Sequence, residues 1–561
     1  MTIKDFLNAA ADDSPDNVAL KFKRGGAWNT IGFGALRERA WHVAEMLLRL
    51  GIQKGDRVAI FRENTPEWFE IYYGIIGIGA VAVPVDAKLR EQEVAHIFHD
   101  CGVSAVFCSA RLAVFDPEMV QSLHRLRAIV ALDCGGESPP ASDGAAVYDY
   151  TALWQDVSAD ALAPERAFDR MGPEADSPAS FIYTSGTTGR QKGAVLTHRN
   201  FLSNVEGMLS AVGFVRNDNL MLVLPLHHSF AFTCIMLVSV RTRCQISLVQ
   251  SLKTLKPDME ECKPTVLLAV PLLLEKMLMR MLDGIRDNAS ATLMYRFGLA
   301  KLIGDKIKEG LGGALRLIVS GGAPISPATL EAWSKLGFTI VEGYGITETA
   351  PVLSVNPPAG PRVGTVGLPI AGVEIKIADP NAEGIGEIVA RGDNVMQGYH
   401  NNPEETAKVL VDGWYHTGDL GHFDEKGYLV ISGRKKSMIV NREGKNIYPE
   451  EVELQAMNSE YVLECLSLGY CEPGDSAGER VGLIVVPNIA VFDAVEDREG
   501  QRLSDAQIEE RVREDVRLQL SALSDYKRPR KIEVRFEEFE KTSTQKVKRY
   551  LYAIDTGGKS S

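Results

Sequence analysis

Leu36, Ala40, Val43, Leu47 and Leu50 recur at three- and four-residue spacing, which predicts one buried helix face, and Gly51 supplies the stop. Residues 58–61 (VAIF) follow as a short uniformly apolar run, the pattern of a strand buried on both faces. This helix-then-strand alternation returns through residues 71–345 and predicts an α/β fold: mostly parallel sheets covered by helices. From about residue 360 to 432 the texture changes to short strands with Gly and Pro turns, as in VGTVGLPIAGVEIKIADPNAEGIGEIVARGD, and predicts a β-rich subdomain. Beyond GRKK (residues 433–436) the pattern is α+β, with a helix capped by Ser504 and Gln507 that carries Ile508, Val512, Val516 and Leu520 on one face. The expected division is a large N-terminal domain, 1–435, and a small C-terminal domain, 436–561, with the boundary near Lys436.

Composition narrows the class. A chain of 561 residues with 45% apolar and 24% charged residues is long enough for several cores and has the balance of a soluble globular protein. The net charge is −13 and no long basic run occurs, so no nucleic-acid partner is expected and any anion must be held locally. Eight scattered cysteines without a CxxC pair point to a reducing, cytoplasmic home. Asp5, Asp12 and Asp13 interrupt the N-terminus where a signal peptide needs an apolar stretch. Residues 220–240 lack Asp, Glu, Lys and Arg over a membrane-spanning length, but Pro225, His227, His228 and Ser229 within them favour a strand, a loop and a buried helix.

The chemistry concentrates in YTSGTTGRQKGAVLTHRN, residues 183–200. ASFIY (179–183) predicts a strand and THRNFLSNVEGML the next helix, so the segment between is expected to be a loop at a strand end. Thr184, Ser185, Thr187 and Thr188 offer hydroxyls, Gly186, Gly189 and Gly193 let backbone N–H groups approach, and Lys192 adds a cation: together, a phosphate-binding turn. The common GxxxxGK[ST] phosphate loop is absent.

YTSGTTGRQKG resembles the phosphate loop of the adenylate-forming superfamily, which includes acyl-CoA synthetases, luciferases and peptide-synthetase adenylation domains. LPLHHSF (224–230), SGGAPIS (320–326), EGYGITET (342–349), GWYHTGDLG (413–421), GRKKSMIV (433–440), GKNIYPEEVE (444–453) and KTSTQKVKR (541–549) follow in that superfamily's order. The resemblance implies residue roles. Glu342 and Gly343 belong to the nucleotide motif, Tyr344 stacks on adenine, Thr347 meets a phosphate oxygen and Glu348 holds Mg2+. Gly322, Ala323 and Pro324 flank adenine and the acyl group, Asp419 accepts the ribose hydroxyls, and Arg434 helps fix the ribose. Lys546 is the adenylation lysine, and Thr188 in the phosphate loop shares in catalysis.

The same resemblance implies a second half-reaction. The small domain swings about a hinge at Lys436 and presents Gly444, lining a pantetheine channel where a side chain would obstruct, together with Lys445 and Asn446 on the thiol side. His228 and Phe232 match the acid-binding histidine and the aromatic gate of the acyl tunnel in long-chain enzymes; the run VPLLLEKMLMRML (270–282) reads as tunnel lining or as plain core. Gln191 and Gln545 stand where the superfamily usually has Pro and Gly, and Ser437 where it usually has an acid. The chain is thus similar to bacterial long-chain fatty acid–CoA ligases. The resemblance implies an acid–thiol ligase using ATP, Mg2+ and CoA on a medium- or long-chain fatty acid, with a carrier-protein ligase, an aryl-CoA ligase or a weak nucleotide-binding homologue as alternatives. Peripheral contact with the inner membrane face and the oligomeric state stay open.

Overall fold

The computed structural model describes residues 1–135, 145–159, 167–185, 190–472, 478–493, 503–541 and 547–555. Among these, two large sheets dominate. The first has eight strands in the order Gly398–Tyr399, Gln191–Thr197, Pro178–Ser185, Val81–Val85, Arg57–Phe61, Ala105–Ser109, Ala128–Leu132 and Ala146–Asp149. It is parallel from Pro178–Ser185 onward and antiparallel at the other edge. The second has nine strands, with a parallel centre (Ile340–Gly345, Leu317–Ser320, Val266–Ala269, Asn219–Leu222, Gln245–Leu248, Val18–Arg24) and antiparallel strands at both edges.

Alternation along the strands sorts side chains into layers. Val58 and Ile60 of the first sheet join Leu220, Val266, Leu268, Leu317 and Val319 of the second in one core between the sheets. Their neighbours Ala59 and Phe61 turn to the outer face of the first sheet, and Met221, Leu267 and Ile318 to the outer face of the second. Between the sheets run the helices Phe33–Arg49 and Pro66–Gly77. Every residue of Pro66–Gly77 except Glu67 is buried, as a helix covered on all sides requires. Gly74 permits the helix pair to close up, since a Cβ there would stand 2.6 Å from Val43 Cβ.

The β-rich subdomain is a five-stranded sheet of Val373–Ala378, Gly386–Gly392, Leu410–Val411, Trp414–Phe423 and Leu429–Arg434. From Ile439 on, two further hydrophobic clusters form that share no buried residue with the rest. They are built on the strands Val462–Tyr470, Arg480–Pro487 and Lys531–Val534 and the helices Pro449–Ala456 and Asp505–Leu520. Ser504 and Gln507 form the expected capping box, and Ile508, Val512, Val516 and Leu520 are its buried face. Residues 220–240 form the strand Asn219–Leu222, a loop and buried helical turns. No helix among the described residues is long and apolar enough to cross a membrane.

One local expectation is corrected. The strand Pro178–Ser185 and the helix from His198 are as expected, but the segment between them is not all loop: Gln191–Thr197 is itself a strand, antiparallel to Pro178–Ser185, and residues 186–189 lie outside the described residues. The apolar positions Ala194 and Leu196 pack into the core, and the outer side of the new strand pairs with Gly398–Tyr399, a partner two hundred residues away. The helix begins only at His198, with Thr197 as its cap.

Two glycines test the packing. Gly74→Ala is expected to lower the unfolding free energy by about 1–3 kcal/mol through overpacking against Val43. Gly284→Ala, in the helix Pro271–Arg286 with nothing within 4 Å of its Cβ, is expected to raise it by up to about 1 kcal/mol. Denaturant titration of the two variants checks the opposite signs.

Candidate active site

The carboxyl ends of strands from both sheets and from the β-rich subdomain meet in one place. Thr184, near the end of Pro178–Ser185, brings Oγ1 to 3.5 Å from Glu348 Oε1. Glu348 sits in the 3-10 turn Thr347–Thr349 just after the strand Ile340–Gly345. Gly345 permits that turn: a Cβ there would lie 2.0 Å from the Pro351 carbonyl oxygen. Thr347 Oγ1 lies 3.2 Å from Ser229 Oγ, which joins the LPLHHSF segment to EGYGITET.

The third wall is the β-rich subdomain. Asp419 and Arg434 are directly opposed on neighbouring antiparallel strands, and Arg434 Nε donates to Asp419 Oδ1 at 2.7 Å. Tyr344 Oη donates to Asp419 Oδ2 at 2.6 Å, so one buried carboxylate ties the subdomain to the nine-stranded sheet. Burial and the adjacent carboxylate hold the Tyr344 phenol well above its usual range. Gly322, Ala323 and Pro324 form an exposed turn after the strand Leu317–Ser320, with Gly322 at φ +87°. Gly343 lies in the Ile340–Gly345 strand, and Glu342 beside it is pushed up to about 8 by burial.

Four further positions are placed as follows. Lys192 is paired with Glu405 and lies 5.3 Å from the centre of the Tyr399 ring. Its ammonium, with Lys408, holds the Glu405 carboxyl down at about 2, so a phosphate would have to draw Lys192 off a carboxylate. Phe232 is 1% exposed and packs on Tyr72, Phe201 and Trp68, closed in as core at the start of the π-helical turn Phe232–Leu237. Gly444 occupies the turn between Ile439–Val440 and Asn446–Ile447 at φ +74°, with nothing within 4 Å of a Cβ; backbone conformation, not crowding, is what calls for glycine here. Lys445 pairs with Glu443 at 3.0 Å and lies over Tyr526.

His228 stacks at a tilt on His227, ring centres 4.0 Å apart. Lys436 lies in the 3-10 turn Lys435–Ser437, where Lys435 pairs with Glu387 at 2.9 Å. Glu450, at the start of the helix Pro449–Ala456, is close enough to Gly433 that a Cβ on the glycine would meet its Oε2 at 2.5 Å, so the segments on either side of Lys436 are in contact. Gly186, Thr187, Thr188, Gly189 and Lys546 lie outside the described residues; of Ser185 the backbone alone is described, at the end of its strand.

Sequence reasoning passed over two residues of this cluster. Tyr399 Oη donates to Glu348 Oε1 at 2.8 Å and is the carboxylate's nearest support. Glu405, capped onto its helix by Asn402, holds Lys192. Both come from a segment without motif character, brought in by pairing of Gly398–Tyr399 with Gln191–Thr197. His227, which the sequence suggested only as a loop residue, has its Nε2 buried without a hydrogen-bond partner among the described residues, 3.6 Å from Asp86 Oδ2, and burial lowers its pKa to about 3.

As a site for Mg2+ the residues fit. The donors around Glu348 are hard oxygens, and no group of three or more His, Cys, Asp or Glu among the described residues forms a protein-only cage. A single carboxylate that leaves the remaining positions to phosphate oxygens and water is how magnesium is usually held.

Glu342 gives this cluster a pH signature. Its carboxyl ordinarily titrates at 4.5 and here at about 8. Below the lower value it is neutral in both states; as pH rises toward the upper one, ionisation favours the unfolded chain and stability falls, by on the order of 5 kcal/mol. Glu342→Gln is expected to flatten that slope in unfolding experiments run across the window.

Comparison with known proteins accords with this geometry. The chain is 30% identical to the long-chain-fatty-acid–CoA ligase of Salmonella typhimurium over 94% of its own length and 90% of that protein's. It is 29% identical to the long-chain-fatty-acid–CoA ligase FadD15 of Mycobacterium bovis over 96% and 93% of the two chains. The crystal structure of ATP-bound MatB from Rhodopseudomonas palustris superposes with a TM-score of 0.76 at 26% identity, covering 98% of each chain. Residues 7–400 match the family described as AMP-binding enzyme, and so the chain belongs to that family.

Proposed function

We propose that the protein activates a medium- or long-chain fatty acid with ATP to give acyl-AMP and pyrophosphate, then transfers the acyl group to CoA, releasing AMP. The observation that carries this reading is the convergence of Thr184, Glu348, Tyr344, Asp419 and Arg434 from three separate sheets in one cluster. The names of the relatives, long-chain-fatty-acid–CoA ligases, support the choice of acid and thiol.

In this reading the barrier is the meeting of two anions, carboxylate and α-phosphate, and the chain lowers it by alignment and charge. Tyr344 offers a flat face to adenine, and Asp419 accepts from the ribose while Arg434 holds the carboxylate in place. Residues 184–189 supply hydroxyl and backbone donors to the phosphates, and Lys192 leaves Glu405 for them. Glu348, oriented by Tyr399, would hold Mg2+, which neutralises phosphate charge when bound. Lys546 reaches the carboxylate and the α-phosphate, and His228 stands on the acid side.

The domains are 1–435 and 436–561. Rotation about Lys436 withdraws Lys546 and brings Gly444 and Lys445 to the thiol. The site faces a cytoplasmic pool of CoA, and since the acid partitions into bilayers, peripheral contact with the inner membrane face belongs to the same reading.

Acid-dependent ATP–pyrophosphate exchange tests it. The wild type is expected to exchange with fatty acids and to form acyl-CoA, and Lys546→Ala to lose about 100-fold or more in exchange. No exchange with any acid in a chain-length and aryl series overturns the reading, and exchange without thioester formation transfers it to a carrier-protein acceptor. Tyr399→Phe, which strips the donor from Glu348, is expected to raise the Mg2+ concentration for half-maximal exchange by about tenfold.

A further inference from the structure

On the outer side of the nine-stranded sheet the helix Pro271–Arg286 is followed by two short ones, Ala289–Arg296 and Ala300–Gly310. Their inner faces are accounted for. Ala300 and Ile303 are buried, Met294 and Tyr295 pack on the same cluster, and Gly304 sits so close to the Leu336 carbonyl oxygen that a Cβ would stand 1.7 Å from it. Their outer faces are not. Leu293, Phe297, Leu299 and Leu302 are 57%, 74%, 45% and 52% exposed, and all of residues 296–299, which turn the chain from one helix into the next, are exposed. Gly298 makes that turn at φ +79°.

Charge adds to the exposure of this turn. Residues 288–304 contain no Asp or Glu and carry Arg296 and Lys301, within a protein of net charge −13. Asp287 and Asp305 mark the two ends of the acid-free stretch, and Asp283 is paired with Arg286 at 3.4 Å. Four exposed apolar side chains offer far less than the roughly 800 Å² per partner that a stable protein–protein interface needs. Large apolar tips on a turn, flanked by cations and free of acids, match instead the chemistry of an anionic bilayer surface.

We propose that the turn between Ala289–Arg296 and Ala300–Gly310 is a membrane-docking element, with Phe297, Leu299 and Leu302 entering the headgroup layer of an anionic bilayer and Arg296 and Lys301 pairing with lipid phosphates. This rests on the functional reading above only in that it supplies a reason for docking: a fatty acid is delivered by the bilayer into which it partitions. No residue of the turn belongs to the site around Glu348.

Flotation of the full-length protein with vesicles, without ATP or acid, tests the docking face by itself. The wild type is expected to partition onto phosphatidylglycerol-containing vesicles about tenfold more strongly than onto pure phosphatidylcholine. The double variant Phe297→Ser with Leu302→Ser is expected to lower binding to the anionic vesicles about tenfold, while Arg296→Gln with Lys301→Gln removes the preference between the two. Exchange activity on a short water-soluble acid, measured on the same preparations, is expected to be unchanged and certifies folding. The proposal is overturned by a wild type that stays off both vesicle types, by folded variants that bind as the wild type does, or by a concentration-dependent dimer that Phe297→Ser abolishes. A chain that floats with anionic vesicles yet catalyses no exchange with any acid supports the docking face and counts against the ligase reading.

Discussion

The apolar layer between the two large sheets is the constraint from which the rest follows. Pro66–Gly77 is buried along its length between the sheets, and Phe33–Arg49 packs on it closely enough that Gly74 has no room for a side chain. Once that layer is closed, the sheets cannot slide relative to each other without opening dense packing, so the strand ends they present are held together. Asn64, at the entrance to the buried helix, adds a polar tie: its Nδ2 donates to the Leu224 carbonyl and its Oδ1 accepts from Leu226 N–H, each at 2.8 Å. The LPLHHSF segment is thereby anchored to the first sheet while it issues from the second.

The site uses that rigidity differently on its two sides. Glu348 is built on backbone that nothing can easily move, with Met396 donating its N–H to the Glu348 carbonyl at 2.9 Å and Tyr399 supporting the carboxylate. Asp419 is fixed by its cross-strand partner Arg434 and by Tyr344. These are short contacts between groups on regular strands, which suits residues that must keep one geometry. Lys192 is instead held by Glu405, on a short helix, and by the face of Tyr399, an attachment an arriving polyphosphate can replace. Rigid acceptors and an exchangeable cation are the division of labour expected where an anionic substrate has to bind and its product has to leave.

Much of the architecture was legible from local patterns because each rests on short-range physics. Helical apolar spacing and a short uniformly apolar run located the helix and the strand around residues 36–61, and Ser504 with Gln507 marked a helix start whose capping geometry needs only four consecutive residues. The candidate residues Tyr344, Glu348, Asp419 and Arg434 were also legible, since they lie in compact polar and glycine-rich motifs, and they meet in one cluster. The strand Gln191–Thr197 was missed because it is specified by partners on both sides, one of them the distant Gly398–Tyr399. Tyr399 and Glu405 carried no signal for the same reason: nothing near them in the chain shows that they will face Glu348 and Lys192.

Residue type and apolar period are properties of short segments, and they were enough to show which residues are chemically able to hold a nucleotide and that the fold is α/β. Which side chains stand together was set by the folded arrangement alone: Lys192 against Glu405, Phe232 inside an aromatic core, Gly444 in an open turn and Phe297 on the surface. Those outcomes depend on strand pairing and layer packing between segments tens to hundreds of residues apart, and such contacts leave no imprint on the local pattern.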